Sequence, residues 1–238
     1  MRRIDCDVWM LRLDEIDEEQ VAGLLAPEEQ RHLRRLRNRG DRLRHAGGRS
    51  LLRAAVAERA GVEPTSIHVA CRCVMCGSTE HGKPYLEERD EYMSIAHSSN
   101  LVLVALTEAA PVGVDVEKRD SSTEVDLIAG YIVVPDEPTP VGLTEFYRTW
   151  CRKEAVVKAC GVGISIPLRE VRVTAPNQEA ALVSFPKLNA PVALCDIDLS
   201  TAHADYAAAL AVLADGSLAP RLRDGTSLIR TLTRGGIS

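Results

Sequence analysis

Asp115 and Glu117 lie two residues apart in the segment Val112-Gly113-Val114-Asp115-Val116-Glu117. Thirty-three residues after Glu117 begins the run Trp150-Cys151-Arg152-Lys153-Glu154-Ala155-Val156-Val157-Lys158. In the first segment the valines alternate with Gly113, Asp115 and Glu117, the two-residue period of a half-buried strand. The valines would face a core, and the two carboxylates would point together out of the other face. Carboxylates so placed repel each other unless a cation sits between them. An all-oxygen pair with open positions suits Mg²⁺, which keeps several waters and shares its sphere with substrate phosphates. The second run reads as a helix carrying Glu154 and Lys158 at i and i+4, on one face. Glu154 adds a third oxygen ligand, and Lys158 a cation beside it. The chemistry implied is phosphoryl transfer.

The elements that must position these groups follow from the pattern around them. Residues 27 to 60 read as helical, with breaks expected near Gly40 and Gly47-Gly48, a start at Pro27 and a stop at Gly61. A short strand is expected around 67 to 70, then a cysteine-rich loop from Cys71 to His81, then a buried strand over 101 to 106. After Pro111 the order partly repeats: a strand over 112 to 117, a helix near 124 to 132, a Pro-rich loop at 135 to 140, and a long helix from about 143 to 159 closed by Gly161. Further strands are expected at 171 to 175, 192 to 199 and 205 to 213. The fold class is α+β, in two similar lobes spanning 1–111 and 112–238, each a small, mainly antiparallel sheet packed on a long helix. Residues 218 to 238 read as a loose tail.

Composition excludes several classes. With 238 residues and 45% hydrophobic content, the chain can bury a substantial core. No apolar run approaches the ~20 residues needed to cross a bilayer. Asp5 and Asp7 interrupt the N-terminus, against a signal peptide. Seven cysteines without a regular spacing fit a reducing compartment, and a cytoplasmic location is expected. Residues 27 to 59 hold ten arginines, no lysine and four acids, a net of +6, whereas the other residues carry a net of −11. One basic segment in an acidic protein suits a compact anionic ligand or a small acidic partner better than nucleic acid. Most of those arginines are expected simply to face water. Cys71, Cys73, Cys76 and His81 have the ligand types of a zinc site, but structural sites usually combine two separated pairs, so reduced loop thiols are the reading adopted.

Residues 113 to 158 resemble the 4′-phosphopantetheinyl transferase family, of the type that activates surfactin synthetase. Gly113-Val114-Asp115-Val116-Glu117 matches the family's G-(I/V)-D-(V/I)-E, and Trp150, Lys153, Glu154 and Lys158 match W-x-x-K-E-x-x-x-K. Upstream, Gly82-Lys83-Pro84, Ile95-Ala96-His97-Ser98 and Gly48-Arg49-Ser50-Leu51-Leu52-Arg53 match three further motifs in the family's order, with Ala96 standing where the family has serine.

The resemblance implies transfer of 4′-phosphopantetheine from coenzyme A to a serine of an acyl or peptidyl carrier protein, with release of adenosine 3′,5′-bisphosphate. It implies two lobes related by a pseudo-twofold, with coenzyme A between them and a monomeric chain. Asp115, Glu117 and Glu154 would hold Mg²⁺, Lys158 would stabilise the same oxygens, and Glu154 or a metal-bound water would be the base. Glu137, in the loop between the two motifs, is a second candidate for base or ligand. Arg44, Arg49, Lys83 with its neighbour Pro84, and His97 would bind coenzyme A, Arg49 and His97 at its 3′-phosphate. Two alternatives stand beside this reading: a Mg²⁺-dependent phosphohydrolase, and a non-catalytic module that binds coenzyme A or a carrier.

Overall fold

In the computed structural model, residues 2–73, 76–79, 82–87, 89–134, 136–161, 166–200 and 203–234 are described. In chain order the elements are β1 (Arg3–Arg12), α1 (Glu18–Gly23), α2 (Pro27–Leu33), α3 (Arg39–Ala60), β2 (Val69–Arg72), β3 (Lys83–Leu86), β4 (Tyr92–Ser98), β5 (Leu101–Thr107), β6 (Val112–Lys118), α4 (Val125–Ile128), α5 (Gly142–Cys160), β7 (Arg172–Val173), β8 (Leu182–Ser184), β9 (Ala193–Asp196), β10 (Tyr206–Val212), β11 (Ser217–Asp224) and α6 (Gly225–Arg234). The architecture is α+β. One sheet has the order β11-β1-β5-β4 and another the order β6-β10-β9, with two small hairpins, β2-β3 and β7-β8. Among the described residues, no helix is long and apolar enough to cross a membrane.

The alternation of each strand decides what it packs on. Ile4, Cys6 and Val8 of β1, Leu101, Leu103 and Ala105 of β5, Val112, Val114 and Val116 of β6, and Ala208, Leu210 and Val212 of β10 share one core. The opposite faces carry the long helices. Val102, Val104 and Leu106 pack with Leu51, Leu52 and Val56 of α3, while Ala209 and Ala211 pack with Ala155, Val156 and Ala159 of α5. Helix α5 ends as the sequence predicts, on Gly161 in the left-handed region at φ 72°, and α3 likewise on Gly61 at φ 66°.

Three expectations are corrected. The break in the first helical region falls at residues 34–38, where the Asn38 side chain accepts hydrogen bonds from the N–H groups of Gly40 and Asp41 and starts α3. Gly47 and Gly48 are not breaks. They lie buried inside α3, where a Cβ would stand 2.6 Å from Leu13 and 2.9 Å from Ile95 respectively, so they let the helix settle onto the sheet. The helix expected near 124 to 132 is a single α-turn, α4, followed by a 3₁₀ turn at Ala129–Tyr131. The third correction concerns the C-terminus, placed in the second lobe as a loose tail. Residues 217–224 form β11, parallel to β1, and Ile229 of α6 joins the core under α3. The alternation of β11 is weak because Arg221 and Arg223 face the buried Asp7 and pair with it at 2.9 and 3.3 Å.

Gly113 fixes how close α5 lies to β6. A Cβ there would stand 2.0 Å from the carbonyl oxygen of Ala155 and 2.3 Å from the amide nitrogen of Ala159, both backbone atoms that cannot give way without moving the helix. Gly113→Ala is therefore expected to destabilise the protein by about 3 kcal/mol or more, at the upper end for overpacking. Thermal denaturation with unchanged melting temperature would refute this contact.

Candidate functional site

Strand β6 presents Gly113, Asp115 and Glu117 to α5, and its partner β10 places Ala211, Ala209 and Ala207 opposite them. The small alanines leave room beneath the helix for two carboxylates. Asp115 is therefore not on an open face, as the alternation alone implied. It is only 4% exposed, with Oδ1 accepting a 2.6 Å hydrogen bond from Lys158 Nζ. Its other oxygen, Oδ2, is buried and has no hydrogen-bond partner among the described residues. Glu117 is half-buried, and its Oε2 accepts a hydrogen bond from Ser98 Oγ at 2.7 Å.

Glu154 and Lys158 reach this point from α5, one helical turn apart. Burial, then the negative charges of Asp115 and Glu117, raise the Glu154 pKa, with Lys158 opposing. Burial raises that of Glu117, which Ser98 opposes and Asp115 reinforces. For Lys158 burial acts against the charge, but Asp115 and Glu154 outweigh it and the pKa is raised. Three carboxylates thus feel one another's field with a single ammonium among them. The thiol of Cys151 lies fully buried behind them, its pKa raised well above the ordinary value by burial and by Asp115 and Glu117.

A cationic group adjoins this acidic one. On β4, Met93 and Ile95 pack toward α3, and His97 follows them on the same face at the end of the strand. His97 is exposed, and partial desolvation, then the charges of Lys158 and Arg44, lower its pKa. Arg44 pairs with Asp41 at 2.6 Å. His45 lies against the ring of His32, with ring centroids 4.9 Å apart, and its pKa is lowered by burial, then by His32 and Arg49. Arg49 donates to the Sγ of Cys71 at 2.8 Å, while its buried Nη1 has no hydrogen-bond partner among the described residues.

Three sequence candidates stand elsewhere. Lys83 Nζ donates to the carbonyl oxygens of Lys158 and Ala159 at 3.0 and 2.8 Å, capping the end of α5, and burial lowers its pKa to about 8. Pro84 pairs with Cys71 in the β2-β3 hairpin, half-buried. Glu137 is 7% exposed and fully engaged: Oε2 accepts from Lys153 Nζ and from the N–H of Val134, and Oε1 accepts from the N–H of Val173. A buried carboxylate tied down by an ammonium and two backbone N–H groups is poorly placed to act as base or ligand, so Glu137 anchors the loop instead. Lys153, the lysine of the second motif, is completely buried in that pair. Of the possible zinc ligands, His81 lies outside the described residues and Cys71 is engaged by Arg49.

Among the described residues, no group of three or more His, Cys, Asp or Glu side chains is placed to hold a metal ion. That does not disqualify the acidic group for Mg²⁺, which is usually held by one or two carboxylates with waters and substrate phosphates completing its sphere. The unpartnered buried Oδ2 of Asp115, and a surplus of negative charge around it, are what such a cation would satisfy.

Residues 111–211, which contain both segments of the acidic site, match the family described as the 4′-phosphopantetheinyl transferase superfamily. The chain is thus similar to that superfamily over somewhat less than half of its length. Among its relatives is a 4′-phosphopantetheinyl transferase of Bacillus subtilis, 26% identical over 201 residues that cover 80% of this chain and 83% of the relative. The 4′-phosphopantetheinyl transferase Sfp of Bacillus subtilis is 26% identical over 192 residues, 75% of this chain and 79% of Sfp. HetI, a 4′-phosphopantetheinyl transferase of a Nostoc species, is 27% identical over 193 residues, 75% of this chain and 78% of HetI. The superfamily match and the clustered carboxylates thus fall on the same stretch, from β6 through α5 to β10.

Proposed function

We propose that this protein is an enzyme that transfers 4′-phosphopantetheine from coenzyme A to a serine hydroxyl of an acyl or peptidyl carrier protein, releasing adenosine 3′,5′-bisphosphate. The observation that carries the reading is the convergence of Asp115, Glu117, Glu154 and Lys158 at the face between β6 and α5, next to the cationic group on α3 and β4. A pyrophosphate needs both: an acidic pocket for a divalent cation, and fixed positive charge for the remaining phosphate oxygens.

Asp115, Glu117 and Glu154 would hold Mg²⁺, and the bound ion would neutralise charge growing on the leaving phosphate. Lys158, held by Asp115, places an ammonium at the same oxygens as a point charge that needs no reorganisation during the reaction. Glu154 accepts no hydrogen bond from a side chain or backbone group among the described residues, which leaves an oxygen open to receive a proton. It would take the proton of the carrier serine as that oxygen attacks the β-phosphorus of coenzyme A and the bond to the bridging oxygen breaks. Arg49, Arg44 and His97 would receive the phosphate on the nucleoside. Lys83 and Pro84 would not contact phosphate, because the Lys83 ammonium is spent on the carbonyl end of α5.

The role of Arg49 has a separate test. Arg49→Ala is expected to raise the KM for coenzyme A about tenfold or more, the loss of a charge-assisted hydrogen bond, with little change in the KM for carrier. Equal effects on both substrates would remove Arg49 from the coenzyme A site. The alternative of a phosphohydrolase predicts loss of phosphate from coenzyme A with no carrier present, which chromatography of the nucleotide products distinguishes directly.

A further inference from the structure

The two sheets meet edge to edge at β4 and β6, each an outer strand of its own sheet. Two serine hydroxyls bridge the join where a backbone ladder is lacking. The N–H of Val114 donates to Ser94 Oγ at 3.1 Å, and four residues on in each strand the N–H of Lys118 donates to Ser98 Oγ at 3.1 Å. The two bridges differ in one respect. Ser94 makes no hydrogen bond to a carboxylate among the described residues, whereas Ser98 donates its own hydroxyl hydrogen bond to Glu117 Oε2 at 2.7 Å. Ser98 is thus the middle of a chain running from a backbone N–H through a hydroxyl to a carboxylate, and such chains polarise one another.

We propose that Ser98 is a positioning residue: its hydroxyl sets the orientation of Glu117 for cation binding and ties the strand that carries His97 to the strand that carries Asp115 and Glu117. The proposal rests on the reading of Glu117 as a metal ligand. A carboxylate with one oxygen held by a hydroxyl keeps a single orientation and offers its other oxygen to the cation. Outer partners of this kind typically account for 10–100-fold in metal affinity. Sequence position conceals the role, because Ser98 stands beside His97 and reads as part of the same phosphate-binding segment. Only the pairing across the β4–β6 join brings it to Glu117.

Ser94 supplies the internal control, since it makes the same bridge without touching the site. Binding of Mn²⁺ to the full chain, with coenzyme A present and carrier absent, is read from loss of the free-ion EPR signal, and the melting temperature of each variant is taken alongside. Ser98→Ala is expected to weaken Mn²⁺ binding about tenfold or more. Ser98→Thr, which keeps the hydroxyl, is expected to bind as the wild type does. Ser94→Ala is expected to lower the melting temperature and leave Mn²⁺ affinity unchanged. Should Ser98→Ala fail to fold, Ser98→Cys keeps the volume, replaces the strong donor by a weak one, and is expected to show the same loss. Equal Mn²⁺ affinity in the wild type and in Ser98→Ala or Ser98→Cys, or an equal loss in the Ser94 variant, would overturn the positioning role. Failure of the wild type itself to bind Mn²⁺ would instead defeat the assignment of Glu117 as a ligand, and this role with it.

Discussion

Asp115→Asn is expected to lower kcat/KM for carrier modification by about 10²–10³-fold while leaving the fold intact. Asparagine matches aspartate in size, so packing under α5 survives, but two electrostatic functions go together. The site loses a full negative charge at a buried oxygen with no other partner. Lys158 also loses the partner that keeps its ammonium charged against burial, so its raised pKa falls. Removing charge stabilisation of this kind from a preorganised site costs roughly 3–4 kcal/mol of barrier, and each 1.4 kcal/mol is about tenfold in rate. Steady-state kinetics with coenzyme A and an apo carrier measure it, with circular dichroism to establish folding. A well-folded variant that loses less than about tenfold would remove Asp115 from the reacting centre.

The second large effect concerns stability. Glu137→Ala is expected to cost about 3–5 kcal/mol, because it strands the ammonium of Lys153 in an interior where that residue has no exposure. The neighbouring carbonyl oxygens of Ile132 and Leu168 accept from the same ammonium but carry no compensating charge. The sign of the pH dependence follows. Burial lowers the folded-state pKa of Lys153 below the ordinary 10.5, with Glu137 opposing the shift. Stability therefore rises with pH from the folded-state pKa up to 10.5, where the unfolded chain binds more protons than the folded one. Without Glu137 that window extends further down, so the deficit of the variant should shrink as pH is raised toward 10.5. Denaturant titrations at pH steps across this range read it, and a deficit independent of pH would contradict the buried-lysine account.

The acidic cluster was legible in the sequence because its geometry is local. A two-residue period puts Asp115 and Glu117 on one strand face, and a four-residue spacing puts Glu154 and Lys158 on one helix face. What sequence could not convey is how the faces meet. That Gly113 is the contact allowing α5 to touch β6, and that Asp115 is consequently buried, depends on residues of a strand and a helix more than forty positions apart. Lys153 sits beside Glu154 in the same motif, yet one step round the helix turns it from the site into the core, against Glu137. Lys83 looked like a phosphate ligand by its motif, and only the approach of the β2-β3 hairpin to the end of α5 commits its ammonium to carbonyl oxygens. Strand β11 was missed for a related reason. Its pairing with β1 joins residues more than two hundred positions apart, and its arginines answer Asp7 on that distant strand rather than any local period.

One measurement bears most directly on the central claim: the intact mass of an apo carrier protein incubated with this chain, coenzyme A and Mg²⁺. A gain of about 340 Da, one phosphopantetheine per carrier, is the predicted result, abolished by EDTA and by Glu117→Ala. No gain on several acyl and peptidyl carriers, while coenzyme A still binds, would contradict the transferase reading and leave a binding module in its place.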